Sequence, residues 1–140
     1  MITMKAYIEK IPFSTRGEID LVDITFEVEK VVRESGIKNG QLLVFVPGAT
    51  GAIVTIENEE GLLNDLKKLI KELAPEGVGY MHDRIDNNAH SHLRATLLGA
   101  SRSFPIVNGK LVRGTWQQIF FVELDVRPRK RVVIVQIIGE

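Results

Sequence analysis

The sequence predicts an α+β protein: a single domain spanning residues 1–140, built on a large bent mixed or antiparallel sheet with two longer helices and one short one. Three observations carry that expectation. Apolar residues recur at three-and-four spacing from Glu59 to Ala74, the mark of an amphipathic helix. Short β-branched and aromatic runs bounded by glycine, proline and asparagine recur on both sides of it. Their order places two helices early and a cluster of hairpins late, which is not a regular βαβ alternation.

In chain order, Met4 to Ile11 alternates and meets Pro12, which predicts an edge strand ending there. Glu18 to Ile24 reads as a second strand. Thr25 is then placed as the N-cap of a helix toward Ser35, with Phe26, Val28, Val31 and Val32 apolar and Gly36 as the stop. Gln41 to Val46 is nearly continuous in apolar residues, the pattern of a strand covered on both faces. Gly48-Ala49-Thr50-Gly51 follows as either an ordinary hairpin loop or a cradle whose N–H groups and Thr50 face a substrate. Ala52 to Ile56 resumes as a strand that delivers Glu57 and Asn58, with Asn58 placed as the next helix cap.

Ala89 to Gly99 reads as the short helix, started by Asn87 or Asn88, with Leu93, Leu97 and Leu98 expected inward. Asn108-Gly109 predicts a two-residue hairpin between Arg102–Val107 and Lys110–Arg113. Thr115 to Leu124 and Val132 to Ile138 are the last two strands. Arg127 to Arg131 between them is expected to be a solvated basic corner. The near-continuous apolar strands exceed what three helices can cover, so a neighbouring copy of the chain is expected to cover the rest.

Eighteen basic and eighteen acidic side chains cancel, which leaves no long-range field for nucleic acid or an anionic membrane surface. Without cysteine there is no disulfide or thiolate chemistry, consistent with a cytoplasmic protein, and no apolar run reaches the ~18 residues of a membrane span.

All three histidines fall in one stretch as H-x7-H-x-H, His82, His90 and His92, flanked by Asp83, Asp86, Asn87 and Asn88. With no thiolate available, imidazole and carboxylate are the remaining strong ligands, so these three are the candidate holders of a divalent metal, zinc or magnesium. Glu57 or Asp86 would add a fourth ligand or a general base. The competing reading is that each histidine hydrogen-bonds to backbone near a helix start. An H-x-H pair shares a face on a strand but stands about 200° apart on a helix. Trp116 either belongs to the core or stacks a flat substrate, Arg94 either binds phosphate or has a structural role, and Asn88 either contacts substrate or caps a helix.

The segments Asn88-x-His90-x-His92-Leu93-Arg94-Ala95-x-Leu97-Leu98-Gly99 and Gly114-Thr115-Trp116-Gln117-x-Ile119, with Ser103, Ile106 and Gly109 between them, resemble the YjbQ family, the secondary thiamine-phosphate synthase-like proteins. The resemblance covers essentially the whole chain. It implies a strongly bent sheet, a homotrimer, and a polar pocket near subunit contacts whose shared positions match His82, Asn88, His92, Trp116 and Gln117. It also implies joining of a pyrimidine-methyl diphosphate to a thiazole phosphate with release of pyrophosphate. Many members carry a histidine in the loop where this chain has Gly48, while His90 is additional. Dedicated synthases of that reaction are (β/α)8 barrels, for which this chain is too short. A small-ligand or metal-binding module without turnover is therefore the alternative, and a purely structural trimer a third reading.

Overall fold

Two antiparallel sheets, rather than one, make up the computed structural model, which describes residues 3–140. The larger has the order β1 (Lys5–Ser14), β8 (Lys130–Gly139), β3 (Gly40–Phe45), β5 (Ser101–Val107), β6 (Lys110–Leu111). The smaller has β7 (Gln118–Glu123) between β2 (Asp20–Asp23) and β4 (Gly51–Ile56). The α+β class stands. What the sequence suggested was a β3–β4 hairpin is instead a crossing between sheets at Gly48–Thr50.

Strand β1 runs through Pro12 to Ser14 instead of stopping. It is an edge strand, where the missing proline N–H costs no ladder bond. Asn108 and Gly109 both take positive φ, 53° and 75°, closing the expected β5–β6 hairpin.

Alternation decides the layering. On β7, Ile119 and Phe121 face the large sheet and helix α1 (Thr25–Ser35), packing with Val28, Val32, Leu42, Val44, Val135 and Ile137. Phe120 and Val122 face the other way, against α2 (Glu60–Leu73) and α3 (Ala89–Leu98), where Ile70 and Ala95 meet them. The small sheet is thus covered on both faces. The large sheet is covered on one only: β3 and β8 alternate rather than being buried throughout, and Leu43, Phe45, Val132, Ile138 and the β1 residue Ile8 remain exposed on its outer side.

Local chemistry sets the helix starts. The Asp23 carboxylate accepts the N–H of Thr25 (2.9 Å) and its hydroxyl (2.6 Å), so the acid, not Thr25, caps α1. Glu59 caps α2 by accepting from Gly61 and Leu62. Asn58 instead donates its amide to Asp23.

The basic corner is only partly solvated. Arg131 is buried and bonds through Nε to Oε1 of the fully buried Glu123 (2.9 Å) and through Nη2 to the Thr50 carbonyl and hydroxyl. Arg129 pairs with buried Asp125. Burial pushes the Asp125 carboxyl up, but the Val126 N–H, Arg129 and Thr50 outweigh it and hold the group below the usual aspartate value.

A histidine pair beside the sheet crossing

Helix α3 presents its polar residues inward. Ala89, His90, Ser91, Arg94 and Ala95 are buried, whereas Leu93 and Leu97, expected inside, are exposed, Leu97 by 62%. The cause lies far away in sequence. Arg94 donates through Nε to the Ala74 carbonyl at the end of α2 (2.9 Å) and through Nη1 to Glu18 Oε2 (3.1 Å). His90 Nε2 meets the same oxygen at 3.1 Å. A buried cation and imidazole sharing one carboxylate orient the helix, and the leucines take the remaining face.

This geometry splits the three-histidine set. His90 and His92 stand two helical positions apart, on different faces, and His90 is committed to Glu18. His92 instead meets His82, which lies in the 3-10 turn Met81–Arg84; their ring centroids are 5.0 Å apart with the planes at 74°. Asn88 does not cap α3. Its Oδ1 lies 3.1 Å from His82 Nε2, and Asp83 Oδ1 takes the Ala89 N–H instead. An amide oxygen can only accept, so Nε2 carries a proton, and in the neutral ring the lone pair is on Nδ1.

Two clefts meet at His92. One of about 410 Å³ is lined by Tyr80, Met81, His82, Ala89, His92 and Leu93. The other, about 270 Å³, lies between His92 and Thr96 on one side and Gly48, Ala49 and Gly51 on the other. The glycine loop therefore does face a histidine. Thr50 does not take part: it is buried, donating to Asp125 and accepting from Arg131. Arg94, a candidate phosphate ligand, is likewise buried in the Glu18 and Ala74 contacts.

Glu57, Trp116 and Gln117 lie elsewhere. Thr115 to Gln117 form a turn rather than the start of the strand, which begins at Gln118. Gln117 Oε1 accepts the Gly114 N–H at 2.7 Å, folding the side chain back on the turn. Trp116 and Glu57 line a third cleft, about 450 Å³, with Asp23, Asn58, Glu59 and Gln118. Gly51 borders the histidine cleft at one end of β4, and Glu57 follows the other end. Six strand residues at ~3.4 Å each separate the two groups by roughly 20 Å.

A single-chain metal centre does not fit the histidines. Among the described residues no third histidine or carboxylate joins His82 and His92, short of the three protein ligands a catalytic zinc ordinarily has. The donor atoms that do converge within 4.8 Å belong to Glu18, Glu76 and His90. There the Arg94 guanidinium already occupies the Glu18 oxygen and opposes a further cation. Glu18 itself gave no signal in the sequence, because its partners lie more than seventy positions away.

Fold and site together define a small two-sheet α+β protein with a paired-imidazole pocket of small-molecule size. The chain belongs to the YjbQ family: the family model described as UPF0047 protein YjbQ-like matches residues 9–140. A UPF0047 protein of Methanothermobacter thermautotrophicus is 45% identical, covering 99% of this chain and 96% of its own. A crystal structure of a YbjQ-like protein of unknown function from Sulfolobus solfataricus superposes with a TM-score of 0.96 at 51% identity, covering 99% of this chain and all of its own. A hypothetical protein from Aeropyrum pernix superposes at 0.91 with 38% identity, covering 96% and 99%. No helix among the described residues is long and apolar enough to cross a membrane.

Proposed function

We propose that the chain is a cytoplasmic, homotrimeric small-molecule enzyme acting on a phosphorylated heterocycle, with His82 and His92 as its working side chains. The observation that carries this reading is the imidazole pair at the junction of two clefts, with His82 oriented by Asn88. The free ring nitrogen of His82 suits a hydrogen bond to the substrate, whose transfer as written below releases no proton. Across the second cleft, the N–H groups of Gly48 and Ala49 have no acceptor among the described residues, and these suit phosphate oxygens.

The family resemblance supplies the reaction class. The thiazole ring nitrogen attacks the pyrimidine methylene carbon as its C–O bond breaks, and pyrophosphate leaves with the electron pair. A divalent ion, zinc or magnesium, enters this reading on the substrate diphosphate rather than as a resident of the protein. Elemental analysis of purified, untagged protein tests that point: a stoichiometric bound ion in the absence of substrate refutes it.

The trimer rests on the uncovered outer face of the large sheet, where Ile8, Leu43, Phe45, Val132 and Ile138 are exposed. Light scattering should give about three chain masses for the parent, and less for Leu43→Asp. A monomeric parent refutes it.

One observation favours the alternative of a binding module without turnover: the Glu57 carboxylate lines a cleft at the opposite end of β4 from the one His92 lines. Pyrophosphate release from the paired substrates, measured beside equilibrium binding of the diphosphate, separates the readings. Release lost in His92→Ala supports the enzyme. Saturable binding without release selects the module, and the absence of both binding and release refutes both readings.

A further inference from the structure

The cleft beyond β4 has a chemistry the histidine pocket lacks. Its charged lining residues, Asp23, Glu57 and Glu59, are all acidic. Two of these acids are spent on structure. Asp23 accepts from Thr25 and from Asn58, and Glu59 accepts from Gly61 and Leu62 at the start of α2. Glu57 is half-buried, and its carboxylate has no hydrogen-bond or ion-pair partner among the described residues. The acids alone would signify little, since exposed carboxylates are common.

The second observation is Trp116. Its side chain is 67% exposed at the wall of this cleft, while the turn beneath it is pinned. Gln117 accepts from Gly114, Gln118 Nε2 donates to the Thr115 carbonyl at 2.9 Å, and Arg113 donates to the carbonyls of Gly114 and Thr115. Gln118 Oε1 also accepts the Asn58 N–H at 3.0 Å, tying the two walls together. An indole on a braced turn loses little further freedom when a ligand arrives. Its face also meets no cation among the described residues. Phe26, equally exposed, has the Arg33 guanidinium 5.8 Å above its ring, whereas no such partner covers Trp116 among the described residues. Arg113, the basic residue nearest it in sequence, turns toward those carbonyls and Glu29.

We propose that the Trp116–Glu57 cleft binds a compact organic cation of the quaternary ammonium class. The cation would lie over the indole face with its charge opposite the Glu57 carboxylate. An electron-rich ring face attracts a weakly hydrated cation, and one uncommitted carboxylate completes its neutralisation. A hard metal ion is the poorer match, because it needs several oxygen ligands and two of the three carboxylates are occupied. The inference does not rest on the transfer reaction: it stands whether or not the histidine pocket turns anything over.

Trp116 is the sole tryptophan, so its emission reports on the cleft directly. The intact protein is titrated with tetramethylammonium chloride, with tert-butanol as a neutral probe of similar size and sodium chloride as the ionic-strength control. A saturable emission change with tetramethylammonium alone is expected, weakened roughly tenfold in Glu57→Gln, with far-ultraviolet circular dichroism confirming that the variant is folded. Calorimetry on Trp116→Ala should show the binding lost. Three outcomes overturn the proposal. These are an equal response to tert-butanol, a non-saturating change indifferent to Glu57→Gln, and emission of the free protein already at the short wavelength of a buried indole, which would mean that a second copy covers the face.

Discussion

Replacing His90 and His92 one at a time gives opposite outcomes on stability and function. His90 is 1% exposed, packs within α3's buried face, and shares Glu18 with Arg94. His90→Ala opens a cavity of nearly a whole ring, costing about 2 kcal/mol, and removes a hydrogen bond to a charged partner, about 1.5–3 kcal/mol. Arg94 still holds Glu18, so the lower part of the summed range, about 3.5–4 kcal/mol, is expected. At about 2–4 °C per kcal/mol for a chain of this size, that lowers Tm by roughly 10 °C. His92 is half-buried and touches His82 edge-on without a side-chain hydrogen bond, so His92→Ala should cost about 1 kcal/mol or less. Its effect should appear instead in ligand binding or turnover, by about tenfold or more. Thermal and denaturant melts, run beside binding of the pyrimidine diphosphate, make the comparison. If His92→Ala melts as low as or lower than His90→Ala, the assignment of inward and outward faces on α3 is wrong.

Three further outcomes follow from the crossing between the sheets. Arg131→Met strands the fully buried Glu123 carboxylate and should cost about 3–5 kcal/mol, while Arg131→Met with Glu123→Leu should recover most of it in denaturant titrations. Asp125 titrates below its unfolded value, so its contribution is complete above about pH 4 and is lost as pH falls through the folded pKa; Asp125→Asn should flatten the acid limb of the stability profile below about pH 4. Gly48 sits at φ +124° with its added methyl 3.2 Å from Arg131 Nη1, whereas a methyl on Gly51 would come within 2.7 Å of the Phe121 ring. Gly48→Ala should therefore lower stability by about 1–3 kcal/mol yet yield folded protein with weakened ligand binding, and Gly51→Ala should fail at folding, as read by soluble yield and circular dichroism.

Elements whose order is set by neighbours in sequence were legible. Asn108-Gly109 closes its hairpin by local φ preference, and the helix over residues 60–73 follows its own leucine spacing. Helix α3 was misread for the same reason in reverse: pattern reading sends leucine inward and arginine outward, and only Glu18 and the Ala74 carbonyl, both distant in sequence, reverse that. The sequence puts His82, His90 and His92 in one eleven-residue cluster, and only the resemblance joins Asn88 to His82 and His92; helix geometry then takes His90 to another face. The separation of Glu57 and Trp116 from them was not, since it depends on which end of β4 each one reaches. Strands β3 and β8 look apolar on both faces because both faces are apolar; the single chain covers only one of them.

The strand order β1-β8-β3 bears on how the molecule is made. β8 forms both ladders that join β1 to β3, yet residues 46–129 are synthesised between β3 and β8. At about 5–20 residues per second, β3 waits on the order of five to fifteen seconds, and β1 longer, with the edges that β8 will fill unpaired. Local hairpins and helices can form on the ribosome in that interval, but the large sheet can only close when its middle strand emerges. A nascent chain halted before Lys130 is accordingly left as two unjoined pieces of sheet with open, apolar edges, a substrate for chaperones rather than a slightly shortened version of the fold.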